Sequence, residues 1–264
     1  MSEQLYNPDY LAETQRLLEE LKYSTYTPFL SISGRMVEVG CGTGDDAINI
    51  AKATAGNGLE VFGLDASEVM IQEANSRQSK ANDKGIPEDQ MTNVRFMIGN
   101  ASHLPFEDGA LSGLRAERLV QHLPNPEEVF AEFYRTLVAG SPLVVVETDW
   151  NSISFYNGDP RVTQRLRNYL TERNVKNGNA AATLIHDLQA AGFSDVAVRL
   201  WPLASRSLEQ CVQLLRFDVV LTAMQDAGEL TADEAQTLMN ALRVADDRGQ
   251  FICSINLIVV SAKR

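Results

Sequence analysis

The stretch MVEVGCGTGDDAINIAK, residues 36–52, decides the fold. Its first part, Met36 to Val39, is an apolar run interrupted only by Glu38, and it stops abruptly at Gly40-x-Gly42-x-Gly44. From Asp45 onward the apolar residues recur at helical spacing. A strand that ends in alternating glycines and turns straight into a helix brings bare backbone close to a ligand. Glycine removes the Cβ that would block the approach, and the helix N-terminus offers unpaired N–H groups. By itself the glycine pattern fits several nucleotide-type cofactors.

The same strand–helix alternation continues outward. RMVEVG (35–40), LEVFGLD (59–65), VRFMIGN (94–100), ALSGLRAE (110–117) and PLVVVETDW (142–150) read as five strands, with helices predicted at 45–55, from Ser67, and at 125–140. Asn125, Pro126, two acids and a closing Gly140 delimit the third of these helices. FSDVAVRLW (193–201) and FICSINLIVVSAK (251–263) follow as late strands. The expectation is an α/β fold: a Rossmann-like, seven-stranded, mostly parallel sheet with helices on both faces and the last strand antiparallel. Residues 1–34 form an expected N-terminal helical lid. Residues 35–264 form the main domain, with insertions at about 151–178 and 205–246 as a cap over the substrate.

Composition narrows the function. A net charge of −12 over 264 residues argues against nucleic acid, whose phosphates need Lys and Arg, and gives no attraction to anionic membranes. Hydrophobic residues at 44% and charged residues at 22% suit an ordinary globular core. Cys41, Cys211 and Cys253 are widely spaced, which speaks for reduced thiols and against a disulfide framework or a metal site. No signal peptide or membrane span is legible, so a cytoplasmic location is expected.

Two acids sharpen the glycine turn. Asp65 ends the second strand, 21 residues after Gly44, where a carboxylate can accept from both hydroxyls of a ribose. It can also cap the next helix, a role that Ser67 fills as well. Glu38 lies inside a core strand, which is costly unless a cation or a hydrogen-bond donor meets it. A pyrophosphate at this turn would be repelled by it, whereas a ligand ammonium would be attracted.

VEVGCGTGDDAINIA (37–51) resembles the first motif of class I S-adenosylmethionine-dependent methyltransferases, and VFGLDASEVMIQEA (61–74) resembles their second. VRFMIGNASHLPFEDGAL (94–111) is similar to the third. Residues 115–150 follow the fourth-strand, helix and fifth-strand block of the ubiquinone/menaquinone-methyltransferase-like branch. The resemblance implies S-adenosyl-L-methionine as cofactor, in agreement with the charge argument at Glu38, and a small-molecule methyl acceptor. It implies that Gly40, Gly42, Thr43 and Gly44 wrap the methionine end and that Asp65 holds the ribose. Ala66 and Met70 would flank the adenine, Asn100 and Ala101 would meet its edge, and Glu117 would make a further cofactor contact. An NAD(P)-dependent oxidoreductase or a non-catalytic S-adenosylmethionine-binding protein is the alternative.

For the acceptor side, His122 and Asp149 are candidate bases on the carboxyl edge of the sheet. His122 serves equally well as a packing or cap residue, and Asp149 equally well as a turn residue. Trp150, Tyr6, Tyr10 and Arg161 are candidate acceptor contacts: aromatic walls and a cation from the Arg161, Arg165, Arg167 cluster. Arg118 is either a substrate contact or the ion-pair partner of a local acid, and the second is the favoured expectation.

Overall fold

The computed structural model describes residues 17–82 and 94–264. Tyr6 and Tyr10, with the rest of residues 1–16 of the expected lid, lie outside the described residues. The chain runs α1 (Glu19–Tyr26), β1 (Gly34–Val39), α2 (Asp45–Ala53), β2 (Leu59–Asp65), α3 (Glu68–Asn82), β3 (Val94–Ile98), β4 (Gly113–Glu117), α4 (Pro126–Thr136), β5 (Pro142–Phe155), α5 (Pro160–Tyr169), α6 (Ala180–Ala190), β6 (Ser194–Ser205), α7 (Leu208–Leu215), α8 (Phe217–Asp226), α9 (Ala232–Asp247) and β7 (Cys253–Lys263). A 3-10 turn, Val120–His122, follows β4.

The seven strands form one sheet in the order β3-β2-β1-β4-β5-β7-β6. β1 pairs in parallel with β2 and β4, β2 with β3, and β4 with β5, whereas β7 is antiparallel to both β5 and β6. The chain order reverses at β1, so the carboxyl ends of β1 and β4 flank the switch point where open α/β sheets take their ligands. Helices cover both faces. On one side Phe130, Phe133, Leu184 and Leu188 pack on Val37 and Val145. On the other Leu21, Tyr26 and Ile50 pack on Met36, Val144 and Val146. The period-2 alternation of β5 sorts its valines between these two cores.

The elements differ from the sequence-based expectation in four places. β5 extends five residues past Trp150, because after a register shift Ser154 and Phe155 pair with Ser254 and Cys253 of β7. β6 likewise runs on to Ser205, opposite Cys253. The insertion expected at about 205–246 opens with two helices instead of one continuous one, broken at Arg216, whose φ of 48° is left-handed. Asn125 stands at the N-cap of α4 but makes no side-chain cap bond; its amide instead donates to Glu128 Oε1 at 3.2 Å.

The two expected insertions pack as one body. Leu166 of α5, Phe217, Leu221 and Met224 of α8, and Leu238 and Leu242 of α9 share a buried cluster with Ile153 and Phe155 of β5. Arg165 joins them at the rim, donating to Glu229 O at 3.0 Å and to Glu234 Oε1 at 2.5 Å. Glu234 also closes a capping box with Thr231 at the start of α9.

β5 carries one group that sets a pH dependence. Glu147 is fully buried, its Oε1 accepts from Val120 N at 2.5 Å, and its Oε2 has no hydrogen-bond partner among the described residues. Burial pushes its pKa up to about 8, against the opposing backbone bonds from the Val120–His122 turn. Because the folded pKa is the higher one, its contribution to stability is complete below about pH 4.5. It is lost as the pH rises through 8, at up to ~1.4 kcal/mol per pH unit. Glu147→Gln should match the parent in urea unfolding near pH 5 and exceed it by several kcal/mol, at most about 5 kcal/mol, near pH 9. Parallel loss of stability in both proteins would show that Glu147 does not titrate there.

Candidate active site

The glycine turn is built as its sequence demands. Gly40, Gly42 and Gly44 have φ of 75°, 52° and 78°, all in the left-handed region that disfavours any residue with a Cβ. Gly40 N and Cys41 N both donate to Leu64 O, at 2.7 and 3.0 Å, which fastens the turn to the end of β2. Gly42 N donates to Asp65 Oδ2 at 2.9 Å, and Ser67 N donates to Asp65 Oδ1 at 2.9 Å. Asp65 therefore braces both the glycine loop and the turn that leads into α3, while the cap bond of α3 is made by Ser67, whose Oγ accepts from Met70 N at 3.4 Å. An ionised carboxylate accepts at about four positions, so each oxygen keeps capacity for a ligand hydroxyl. Beside it Ile98, Val69 and Ala66 are exposed, with Ile98 at 57% and Val69 at 66%, and Met70 is half-buried. Asn100 is exposed, its Oδ1 accepting from Ser102 N and Oγ at 3.0 Å, while Ala101 is buried.

The two aspartates after the glycines are held by more than the helix N-terminus. Asp45 is bonded to Arg77 of α3 and accepts from Thr43 Oγ1 at 2.9 Å. Asp46 is buried and bonded to Lys22 of α1, and its other oxygen accepts from Tyr26 OH at 2.5 Å. Arg115 of β4, wholly buried, completes the cluster. It bonds Glu38 Oε1, donates to Glu117 Oε2 at 2.5 Å and to Thr25 Oγ1 at 3.0 Å, and lies 5.3 Å from the Tyr26 ring centroid. Lys22 Nζ is also 2.9 Å from Glu117 Oε1.

This network corrects the reading of Glu38. The cation that meets it is the protein's own Arg115. Only Glu38 Oε2, buried and without a hydrogen-bond partner among the described residues, remains for a ligand ammonium. Burial pushes Glu38 up to about 8, the Arg115 attraction notwithstanding. For Asp46 and Glu117 burial acts in the same upward sense, but Lys22 and Arg115 outweigh it and hold both below the usual carboxylate range. Glu117 is thus committed to three cations, the third being Arg118 at 3.4 Å. Arg115 was not singled out from the sequence. The signal for it was an arginine in a strand flanked by buried apolar residues, which needs acidic partners just as Glu38 needs a cation.

A cavity of about 140 Å³ opens beyond the carboxyl edge of the sheet, between β5, β6, β7 and the cap helix α7. Trp150 lines it, with Thr148, Gln121, Arg118 and the thiols of Cys211 and Cys253. Trp150 Nε1 donates to Gln121 Oε1 at 2.7 Å. Asp149 is not among the lining residues, because adjacent residues of a strand face opposite sides and Thr148 and Trp150 take the cavity side. His122, in the 3-10 turn, is beside Gln121 rather than in the lining. Burial, Arg118 and Lys176 lower its pKa to about 4, which keeps it neutral at pH 7 and makes it a weak base. Arg161 is exposed in the first turn of α5 and away from the lining, and Arg165 is spent on the cap. Arg118 has the acidic partner expected of it, Glu117.

A mostly parallel sheet reversed at β1, a glycine turn braced by the acid ending β2, and a cavity at the same edge make a Rossmann-like fold. Residues 36–140 match the family model described as a methyltransferase domain. It is similar to an uncharacterized 37.1 kDa protein of a Streptomyces fradiae transposon, 29% identical over 86% of this chain and 61% of that protein. It is also similar to the demethylmenaquinone methyltransferase of Geobacillus sp. (strain WCH70), 32% identical over 43% of this chain and 45% of the relative. The chain thus spans less than two thirds of the length of these relatives. Among solved structures, the YcgJ protein of Bacillus subtilis superposes with a TM-score of 0.60 at 18% identity, covering 93% of this chain and 98% of that one. A geranyl diphosphate methyltransferase superposes with a TM-score of 0.57 at 17% identity, over 97% and 81%. At these identities the likeness is one of fold. No described helix is long and apolar enough to cross a membrane.

Proposed function

We propose that this protein transfers a methyl group from S-adenosylmethionine to a small-molecule acceptor held in the cavity beneath the helical cap. The observation that carries the reading is the Asp65 carboxylate, which braces the glycine turn with one lone pair per oxygen and keeps the others for two neighbouring hydroxyls. Ala66, Val69, Met70 and Ile98 supply apolar surface for an adenine, with Asn100 and Ala101 at its edge. The left-handed backbone at Gly40, Gly42 and Gly44, with Thr43, suits the methionine end, and the unpartnered Glu38 Oε2 suits its ammonium. When bound, the cofactor supplies an electrophilic methyl carbon on a sulfonium. The protein's part is then to hold the acceptor in line and exclude water, which lowers the barrier by positioning alone. No general base is needed for an acceptor that is already unprotonated. The α5 and α7–α9 body acts as the substrate cap, and buried free thiols with a net charge of −12 suit a reducing, cytoplasmic compartment.

Calorimetric titration tests the cofactor. The parent should bind S-adenosylmethionine and not NADH. Asp65→Ala should weaken binding about 100-fold, the equivalent of ~3 kcal/mol for two charge-assisted hydrogen bonds, with the fold intact by circular dichroism. Undiminished affinity in Asp65→Ala, or NADH binding in place of S-adenosylmethionine, would refute the reading. A screen of metabolite extracts with methyl-labelled cofactor then identifies the acceptor by product mass.

A further inference from the structure

Two thiols meet in the wall of the cavity from different parts of the fold. Cys211 belongs to the cap helix α7 and Cys253 opens β7, and both line the cavity. Cys253 pairs in register with Ser205 of β6, and Ser205 is within hydrogen-bond reach of the Cys211 sulfur. The two sulfurs are themselves joined by a hydrogen bond. From there a small movement reaches the ~2.05 Å of a covalent S–S bond. Cys41, in the glycine turn, is outside the lining. A cavity of about 140 Å³ has room for several water-sized molecules, at roughly 10–15 Å³ each, so a small oxidant can reach sulfurs that are closed to bulk solvent.

The pair is asymmetric. The bond to Cys253 lowers the pKa of Cys211 against the opposing effect of burial, and Ser205 adds to the lowering. For Cys253 the same bond and burial both act upward. Cys211 is therefore the sulfur that ionises first and attacks, and Cys253 the one that resolves. Burial raises Cys41, which leaves it the least reactive of the three. The helix that carries Cys211 is a thin wall. Gln210, Cys211, Leu214 and Leu215 face the cavity, while Glu209, Val212 and Gln213 face an open groove shared with α8 and α9. Leu208 and Cys211 are its buried residues, and it ends at the left-handed Arg216. A short helix with so few buried side chains opens locally at low cost, and one covalent bond to the sheet would hold it down.

We propose that Cys211 and Cys253 form a peroxide-sensitive modification site, in which a reversible disulfide ties α7 to β7 and holds the cap shut over the cavity. The thiol chemistry stands by itself; its effect on a methyl acceptor rests on the methyl-transfer reading above. The Cys211 thiolate attacks one oxygen of hydrogen peroxide, the O–O bond breaks, and hydroxide leaves with the electron pair and takes up the thiol proton as water. The Cys253 sulfur then attacks the sulfur of the resulting sulfenic acid. The S–O bond breaks, and the hydroxide leaves with the Cys253 proton as a second water. Both sulfurs are oxidised, and one peroxide is reduced for each disulfide. Exchange with a small thiol restores the pair.

The test treats the reduced full chain with hydrogen peroxide and then alkylates it in denaturant. Free thiols should fall from three to one, with Cys41 the one alkylated, and dithiothreitol should restore all three. Peptide mass should join Cys211 to Cys253 within one chain. Hydrogen exchange at the α7 amides should be at least about tenfold slower in the oxidised form than in the reduced form. Cys253→Ala should stop at a sulfenic or sulfinic Cys211, and Cys211→Ala should react with peroxide at least about tenfold more slowly than the parent. The parent decides the matter alone if a variant does not fold. A thiol count that stays at three, or a bridge that includes Cys41 or joins two chains, overturns the proposal. So does a Cys211–Cys253 bridge that leaves α7 exchange unchanged. A reduced chain that fails to bind S-adenosylmethionine would refute the methyl-transfer reading and leave the thiol site standing.

Discussion

Arg115→Met is expected to lower the unfolding free energy by about 3–5 kcal/mol at pH 7, the cost of leaving buried carboxylates without their cation. The substitution keeps most of the side chain's length, so the loss reports charge more than volume. Glu38 and Glu117 would both lose a guanidinium bond, and Thr25 would lose a donor. Lys22 still reaches Asp46 and Glu117, so the penalty falls chiefly on Glu117, a buried carboxylate held ionised that keeps one cation fewer, whereas Glu38, already pushed up to about 8, takes up a proton. Adding Glu117→Gln to Arg115→Met should restore part of the stability, because it removes a buried charge, and Glu38→Gln should restore less. The deficit should also shrink near pH 5, where the released carboxylates take up protons. Urea unfolding of the two variants and the parent at both pH values measures this. A loss below about 1 kcal/mol for Arg115→Met would mean that the network contributes little to the fold.

What was legible in the sequence was whatever short-range spacing encodes. The three glycines, the strand before them and the acid ending β2 are local signals with backbone causes, and all three φ values fall where the pattern required. The buried ion network was not legible as a network, because Glu38 and Arg115 are 77 residues apart and meet only when β1 pairs with β4. Glu38 was rightly seen to need a cation, but the sequence could not say whether ligand or protein would provide it. The break between α7 and α8 left no trace either, since Arg216 carries no turn chemistry and its φ of 48° is set by the packing of the cap. Asp149 is a different case. The alternation of a strand puts Asp149 and Trp150 on opposite faces, so the two cannot face one cavity.

Gly44→Ala should be the most damaging single methyl addition in the glycine turn, at about 3 kcal/mol of stability and, on the function proposed above, more than tenfold in S-adenosylmethionine affinity. Two costs combine. The left-handed φ of 78° disfavours any L-residue with a Cβ by about 1–2 kcal/mol. The added Cβ would also lie 2.5 Å from Phe96 Cζ and 2.9 Å from Ala74 Cβ, contacts that real structures do not tolerate. Phe96 has little room to retreat, because the same ring is packed over Gly63, where a Cβ would again meet it at 2.5 Å. The turn would therefore shift, and with it the Gly42 N–H that braces Asp65. Gly58→Ala is the control: its φ is 71° but nothing lies within 4 Å of the new methyl, so only the conformational cost of about 1 kcal/mol applies. Gly44→Ala/Phe96→Ala should recover the steric part against Phe96→Ala alone and leave the backbone part. If Gly44→Ala proved no worse than Gly58→Ala in unfolding and in cofactor titration, the close packing of Phe96 beneath the turn would have no energetic consequence.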